Sequence, residues 1–243
     1  MTASSDLSPA AAATAAAGAR PGGPLRLRAA LLVLLTFGSG TTDIVGFLGM
    51  EKVFTANMTG NIVLFGLAAG EANGADLARC GAATLAFAVG LLAGFRIAGR
   101  HDPGRVWPPR ITAVLAAVLA LQTAFLAGWT LTDAEPRGGE LLVLIALSST
   151  AMGAQTAAAR SLAADGITTT FVTGTLTSMM GGLAVGQGGA AGLRTAVILS
   201  LAAGAAVAGA LMTSAPVLAA ALSPLVLATV IAGAFRLHPA TTP

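Results

Sequence analysis

The sequence predicts an all-α, polytopic membrane protein, on three observations. The 243-residue chain is 55% hydrophobic and only 9% charged, against about 25% charged residues in soluble domains. Its apolar residues form long stretches parted by short polar joints, and most stretches approach the ~20 residues a helix needs to cross ~30 Å of hydrocarbon. Its arginines gather at particular joints, as they do where cytoplasmic loops attract positive charge. This composition excludes a soluble enzyme, a disordered protein and a disulfide scaffold, Cys80 being the only cysteine. Thirteen Lys+Arg against ten Asp+Glu give a net charge of +3, too few charges for a nucleic-acid face, so no nucleic-acid partner is expected. All the basic residues but Lys52 are arginine; with the Ala and Gly excess this reads as genomic GC bias, and it requires no anionic partner.

Residues 1–28 are rich in Ala, Ser, Pro and Gly and lack an apolar stripe, which predicts a disordered cytoplasmic tail. A secretory signal peptide is not expected, because the next apolar stretch is long and no small-residue cleavage site with a polar follow-on appears. Apolar segments then occupy 29–50, 53–70, 80–99, 110–132, 141–163, 168–187, 194–214 and 216–235. Six of them suit a crossing. Segments 53–70 and 168–187 are short, with Thr, Asn or Ser beside Gly in their first halves, where lipid-facing backbone is hard to satisfy.

Charge distribution tests this division. The N-terminal flank carries Arg20, Arg26 and Arg28, and the 96–110 joint carries Arg96, Arg100, Arg105 and Arg110. Both fall in the cytoplasm if 53–70 dips in and returns on one side, and they are separated if it crosses. The 133–140 joint, with Asp133, Glu135 and Glu140 against Arg137, then lies outside, and the 160–165 joint and Arg236 lie inside. Six crossing helices plus two short broken segments, with both termini cytoplasmic, fit the bias best. Trp107 and Trp129 flank the fourth segment, ~33 Å apart along a helix, the separation of the two interfacial aromatic belts.

The halves resemble each other. Thr55–Gly60 aligns with Thr173–Ser178 at an offset of 118, and LLVLLTFGS (31–39) matches LLVLIALSS (141–149) at five of nine positions. This predicts an inverted internal repeat, 29–137 and 138–236, followed by a tail at 237–243. A half with three crossings is inverted relative to its copy, an arrangement with discontinuous helices that is common in secondary transporters and channels.

The segment GSGTTDIVGFLGMEKVFTANMTGNIVLFGLA, with MGAQTAAARSL and TTTFVTGTLTSM in the second half, resembles the YoaK-like family of bacterial inner-membrane proteins, catalogued as a domain of unknown function. The family pattern falls here on Gly40 and Asp43; on Phe54, Thr59, Gly60 and Asn61; on Gly153 and Gln155; and on Thr173, Gly174, Thr175, Leu176 and Thr177. The resemblance covers roughly residues 30–235. It implies a multi-pass membrane location and brings no established substrate.

Asp43 lies about fourteen residues into the first apolar segment, near mid-depth if the helix starts at Ala29. A charge there costs at least ~2.5–3.5 kcal/mol, so it faces a protein interior. It reads as a proton, cation or substrate site, or alternatively as a cap on a broken helix. Gln155 occupies a comparable place in the second half. Asn57, Thr59, Asn61, Thr173, Thr175 and Thr177 offer uncharged donors and acceptors; they could line a solute site, or bond helices together at ~0.6 kcal/mol per contact. Gly60 and Gly174 would let the chain leave helical geometry or approach a ligand closely. Arg160 would snorkel, paired at most with Asp165, and Met179 and Met180 are fill. Gly90-x-x-x-Gly94 and Ala205-x-x-x-Gly209 are close-packing faces that could also serve a homodimer.

Chemistry other than binding finds few groups. The lone Cys80 offers no thiolate metal site, His101 and His238 lie outside the spans, and no second acid accompanies Asp43 at depth. No Walker-type run occurs. Neither an enzyme, a metal nor a cofactor is expected. The expected partners are the lipid bilayer and a small polar solute or ion. The functional expectation is transport of that solute, or alternatively a non-transporting assembly, sensory or partner-binding role.

Overall fold

The structure, a computed structural model, describes residues 22–100, 104–162, 172–186 and 191–238. The expectations placed on Arg20, His101, Asp165 and residues 1–21, 163–171, 187 and 239–243 lie outside the described residues. All the regular elements among the described residues are helical: α1 Gly23–Gly49, α2 Met58–Gly70, α3 Gly74–Ala98, α4 Pro109–Leu131, α5 Gly138–Leu162, α6 Val172–Ala184, α7 Ala191–Met212 and α8 Pro216–Ala234. Six are long and apolar enough to cross a membrane. Of the other two, α2 has 13 residues, ~20 Å at 1.5 Å per residue and too short to cross, and α6 has 13 described residues.

Local chemistry sets the ends. α1 begins at Gly23 with Pro24 in its first turn, a position where the missing N–H costs nothing. Residues 23–28, assigned above to the tail, are therefore helical, and Leu25 and Leu27 pack on the core. Asn57 and Asn73 cap α2 and α3, accepting from Gly60 N and Asp76 N, so α3 starts ahead of the expected residue 80. Leu237, placed above in a tail, is buried in the same core as Leu31 and Ala234.

Two apolar clusters mark the ends of the bundle. Leu31, Ala98, Trp107, Ile111, Leu162 and Ala234 meet in one; Val45, Met50, Cys80, Phe125, Trp129, Leu141 and Ala219 meet in the other. The start of α1, the 96–110 joint and the end of α8 therefore share the Trp107 end, and the 133–140 joint lies at the Trp129 end. The two tryptophans are fully buried and bonded within the protein, Trp107 Nε1 to Thr112 Oγ1 at 3.0 Å and Trp129 Nε1 to the Pro216 carbonyl at 3.2 Å. They anchor the bundle from inside instead of facing the lipid interface.

The short helices enter from opposite ends. After α1, Met50 and Val53 lie in the Trp129-end cluster, while Ala56 packs against Phe87 and Met152 near the middles of α3 and α5. The chain has descended to mid-bundle; α2 then climbs back to α3, whose Arg79 lies 3.9 Å from Glu51. α6 runs the other way. It precedes α7, whose far end reaches Gly49 and Trp129 through Met212, so α6 ends at the Trp107 side.

The long helices form two groups, α1 with α7 and α8, and α3 with α4 and α5, joined chiefly through α4 and α8. The closest pairs, α1 on α7 and α3 on α5, meet at glycines. A Cβ on Gly40 would strike the Leu201 carbonyl, and one on Gly204 the Phe37 carbonyl; Gly153 faces the Phe87 carbonyl and Gly90 that of Thr150. The small-residue faces of α3 and α7 are thus occupied within the chain, Gly94 by Ala154 and Ala157, and Gly209 by Ile44.

Candidate functional site

The site begins with a backbone problem. Residues 50–57 leave α1 through two left-handed residues, Glu51 and Lys52 (φ 56° and 61°), and run back along its flank. Gly46 permits the return, since a Cβ there would lie 2.7 Å from the Val53 carbonyl. An extended segment at this depth has no water to satisfy its amides, so side chains do it. Asp43 Oδ1 accepts from Ala56 N at 2.7 Å, Thr55 N at 2.9 Å and Asn57 N at 3.4 Å, with Thr55 Oγ1 at 3.5 Å. Asn61 holds Phe54 at both of its backbone groups, Oδ1 accepting from its N–H at 2.9 Å and Nδ2 donating to its carbonyl at 2.6 Å.

Asp43 is not at the middle of α1. It lies in the last quarter of a helix running from Gly23 to Gly49, ~9 Å before the end, and its side chain leans back toward the helix start and the bundle centre. Asp43 clasps the returning loop and does not cap a break in its own helix: α1 runs unbroken past it, and the cap on α2 is Asn57. Every hydrogen bond that described residues give this carboxylate falls on Oδ1, leaving Oδ2 with none, and Asp43 borders a cavity.

That cavity, about 710 Å³, lies between the half-helices, within the usual range for small-molecule sites. Ser39, Gly40, Asp43, Ile44 and Phe47 of α1 form one wall, and Phe54, Ala56, Asn57, Thr59, Gly60, Val63 and Leu64 of the loop and α2 form the second. Val172 and Thr173 of α6 with Leu201 and Ala205 of α7 complete it. The Phe47 and Phe54 rings stack at 4.9 Å. Gly60 makes room for this pair, because a Cβ would come 2.9 Å from the Phe54 ring.

Of the residues singled out from sequence, Asp43, Asn57, Thr59, Gly60 and Thr173 come together on the cavity. Asn61 and Thr175 are buried away from it. Gln155 is also buried, donating to Ser39 Oγ at 3.0 Å and the Leu35 carbonyl at 3.3 Å and so tying α5 to α1. Gly174 and Thr177 are exposed and do not border the cavity. The apolar wall was missed, yet Ile44 and Phe47 share the helical stripe of Asp43 by spacing, and Phe54 opens the Phe-x-x-x-x-Thr-Gly-Asn pattern. No group of three or more His, Cys, Asp or Glu that could hold a metal occurs among the described residues.

Residues 31–234 match the family model described as Protein of unknown function (DUF1275). The UPF0700 transmembrane protein YoaK of Bacillus subtilis (strain 168) is 35% identical over 162 residues, 63% of this chain and 66% of that relative, just under two thirds of its length. No solved structure matches the chain.

Proposed function

The chain belongs to the DUF1275 family, and on that premise we propose that this multi-pass membrane protein moves a small polar solute or ion by alternating access. One observation carries the reading: two short helices that enter from opposite ends bring Asn57, Thr59 and Gly60 at the start of α2, and Val172 and Thr173, the first described residues of α6, to one cavity beside a carboxylate. Secondary transporters place their binding sites where discontinuous helices meet near the midplane.

The reading includes an inverted repeat, supported by packing that exchanges between the halves. Phe37 and Gly40 of α1 meet α7 as Thr150 and Gly153 of α5 meet α3, residues 113 positions apart. Phe87 and Gly90 of α3 correspond likewise to Leu201 and Gly204 of α7, 114 apart. These spacings replace the offsets of 110 and 118 suggested by local text matches; Asp43 then pairs with Thr156 and Asn61 with Thr175. Each group of three long helices carries one half-helix, α2 on α3 and α6 on α7, so rocking of the groups would open the cavity to each side in turn. We place the Trp107 end in the cytoplasm on the arginine bias.

Thiol labelling tests the reading. In a Cys80→Ala background, single cysteines at Thr59 and Thr173 should react with a membrane-impermeant maleimide, from opposite sides in different preparations. Cysteines at the buried positions Ser148 and Thr175 should stay protected. Uniform protection would mean a packed bundle with no solute path.

A further inference from the structure

The transport reading, on which this inference rests, does not say what the cavity holds, but the walls bear on it. Among the described residues, Asp43 is the only charged one lining it. No basic residue is among its described lining residues; Arg79 lies 3.0 Å from Asp76 and 3.9 Å from Glu51, and Arg194 donates to the Ser178 carbonyl at 3.0 Å. An anionic ligand would therefore meet a carboxylate with no countercharge, in a setting where unpaired charge is costly. The N-terminus of α2, of a kind that elsewhere attracts anions, is taken up by the chain itself at Asn57, Met58 and Gly60. The amides of Thr55, Ala56 and Asn57 converge on Asp43 Oδ1, and Gly60 N on Asn57 Oδ1.

What the carboxylate has left is Oδ2, to which no described residue donates, and Asp43 lines the cavity together with the stacked rings of Phe47 and Phe54. Hard metal cations take about six or more oxygen ligands held close. Here one carboxylate and the scattered polar groups of Asn57, Thr59 and Thr173 stand around about 710 Å³ of mostly apolar-walled space, many times the ~30 Å³ of a water molecule. We propose that the cavity binds a small organic monocation, an ammonium group on an apolar body. The charge sits between Asp43 Oδ2 and the aromatic pair, where ring faces attract cations, and the body lies against Ile44, Val63 and Leu201.

The experiment uses the full-length Cys80→Ala, Thr173→Cys protein in detergent and follows the rate of maleimide labelling. Benzyltrimethylammonium at millimolar concentration should slow labelling several-fold, while the anion phenylacetate and the neutral benzyl alcohol should leave it unchanged. Asp43→Asn keeps an Oδ1 acceptor for the loop but removes the charge, and should raise the protecting concentration about tenfold or more. Phe54→Leu, which leaves the carboxylate and its clasp alone, should raise it about 3- to 30-fold. This second variant keeps the test open if Asp43→Asn elutes as aggregate. Equal or better protection by phenylacetate would overturn the cation assignment. So would protection unchanged in both variants, or none from benzyltrimethylammonium or methylammonium at tens of millimolar. In each of these cases labelling of the thiol introduced by Thr173→Cys leaves the cavity and the transport reading standing. Absence of labelling without any probe would bring both down.

Discussion

At the scale of single residues, Asn61 shows how a polar side chain can serve the chain instead of a ligand. It is fully buried, and its amide copies a strand neighbour by gripping both backbone groups of Phe54. Asn61→Ala would leave two buried backbone groups unpaired, each worth about 1–3 kcal/mol. With partial relaxation the loss should be about 2 kcal/mol, a fall of about 4–8 °C in the thermal midpoint of the detergent-solubilised protein. The Thr59 hydroxyl makes no hydrogen bond to described residues, and Thr59→Ala is the control; equal midpoints for the two variants would contradict the clamp. From sequence, Asn61 read equally as lining a solute site or as bonding one segment to another, and Gln155 as the uncharged counterpart of Asp43. Both bond the protein, because an amide side chain satisfies a ligand or a backbone equally well. Which it does depends on whether a loop returns to it, a long-range fact absent from the local text.

At the scale of elements, the two broken helices were legible because Gly, Thr and Asn interrupt their apolar runs. The starts of α2 and of the long helix α3 are set by the Asn57 and Asn73 caps, which the apolar pattern does not show. The contacts between long helices were only half legible. Gly90 and Gly94 stand four apart and announce a close-packing face, whereas Gly40, Gly153 and Gly204 each oppose the backbone of a helix that the sequence does not identify. The consequence is testable by adding one methyl group. Gly153→Ala pushes a Cβ onto the Phe87 carbonyl and Leu91 N, backbone atoms that cannot turn aside, and should cost about 1–3 kcal/mol. Gly66→Ala, within α2 with nothing inside 4 Å of its Cβ position, should instead be neutral or gain up to ~1 kcal/mol from helix propensity. Thermal unfolding of both variants compares them directly, and a Gly153→Ala protein as stable as Gly66→Ala would mean that α3 and α5 are not so closely packed.

For the whole molecule, the arginine distribution and the helix packing reach one frame by independent routes. Charge bias required the N-terminal flank and the 96–110 joint to share a side. The structure puts Leu31, Ala98 and Trp107 in one cluster, which only an even number of crossings between them allows. Had α2 spanned the bilayer, those groups would sit ~30 Å apart. Composition could reach this much because membrane sidedness is written in charge, and charge is sparse here; the cavity could not be read so, being assembled from two pairs of helices, α1 with α2 and α6 with α7, that lie far apart in sequence. Single cysteines at Arg100 and Arg236, both exposed at the Trp107 end, and at Glu135, exposed at the other, separate frame from orientation. In intact cells an impermeant maleimide should label Glu135→Cys at once, and Arg100→Cys and Arg236→Cys only after permeabilisation. Labelling of Arg100→Cys and Arg236→Cys from opposite faces would break the six-crossing frame. Reversal of all three would keep that frame and turn the protein over in the membrane, exchanging which half-helix faces the cell interior.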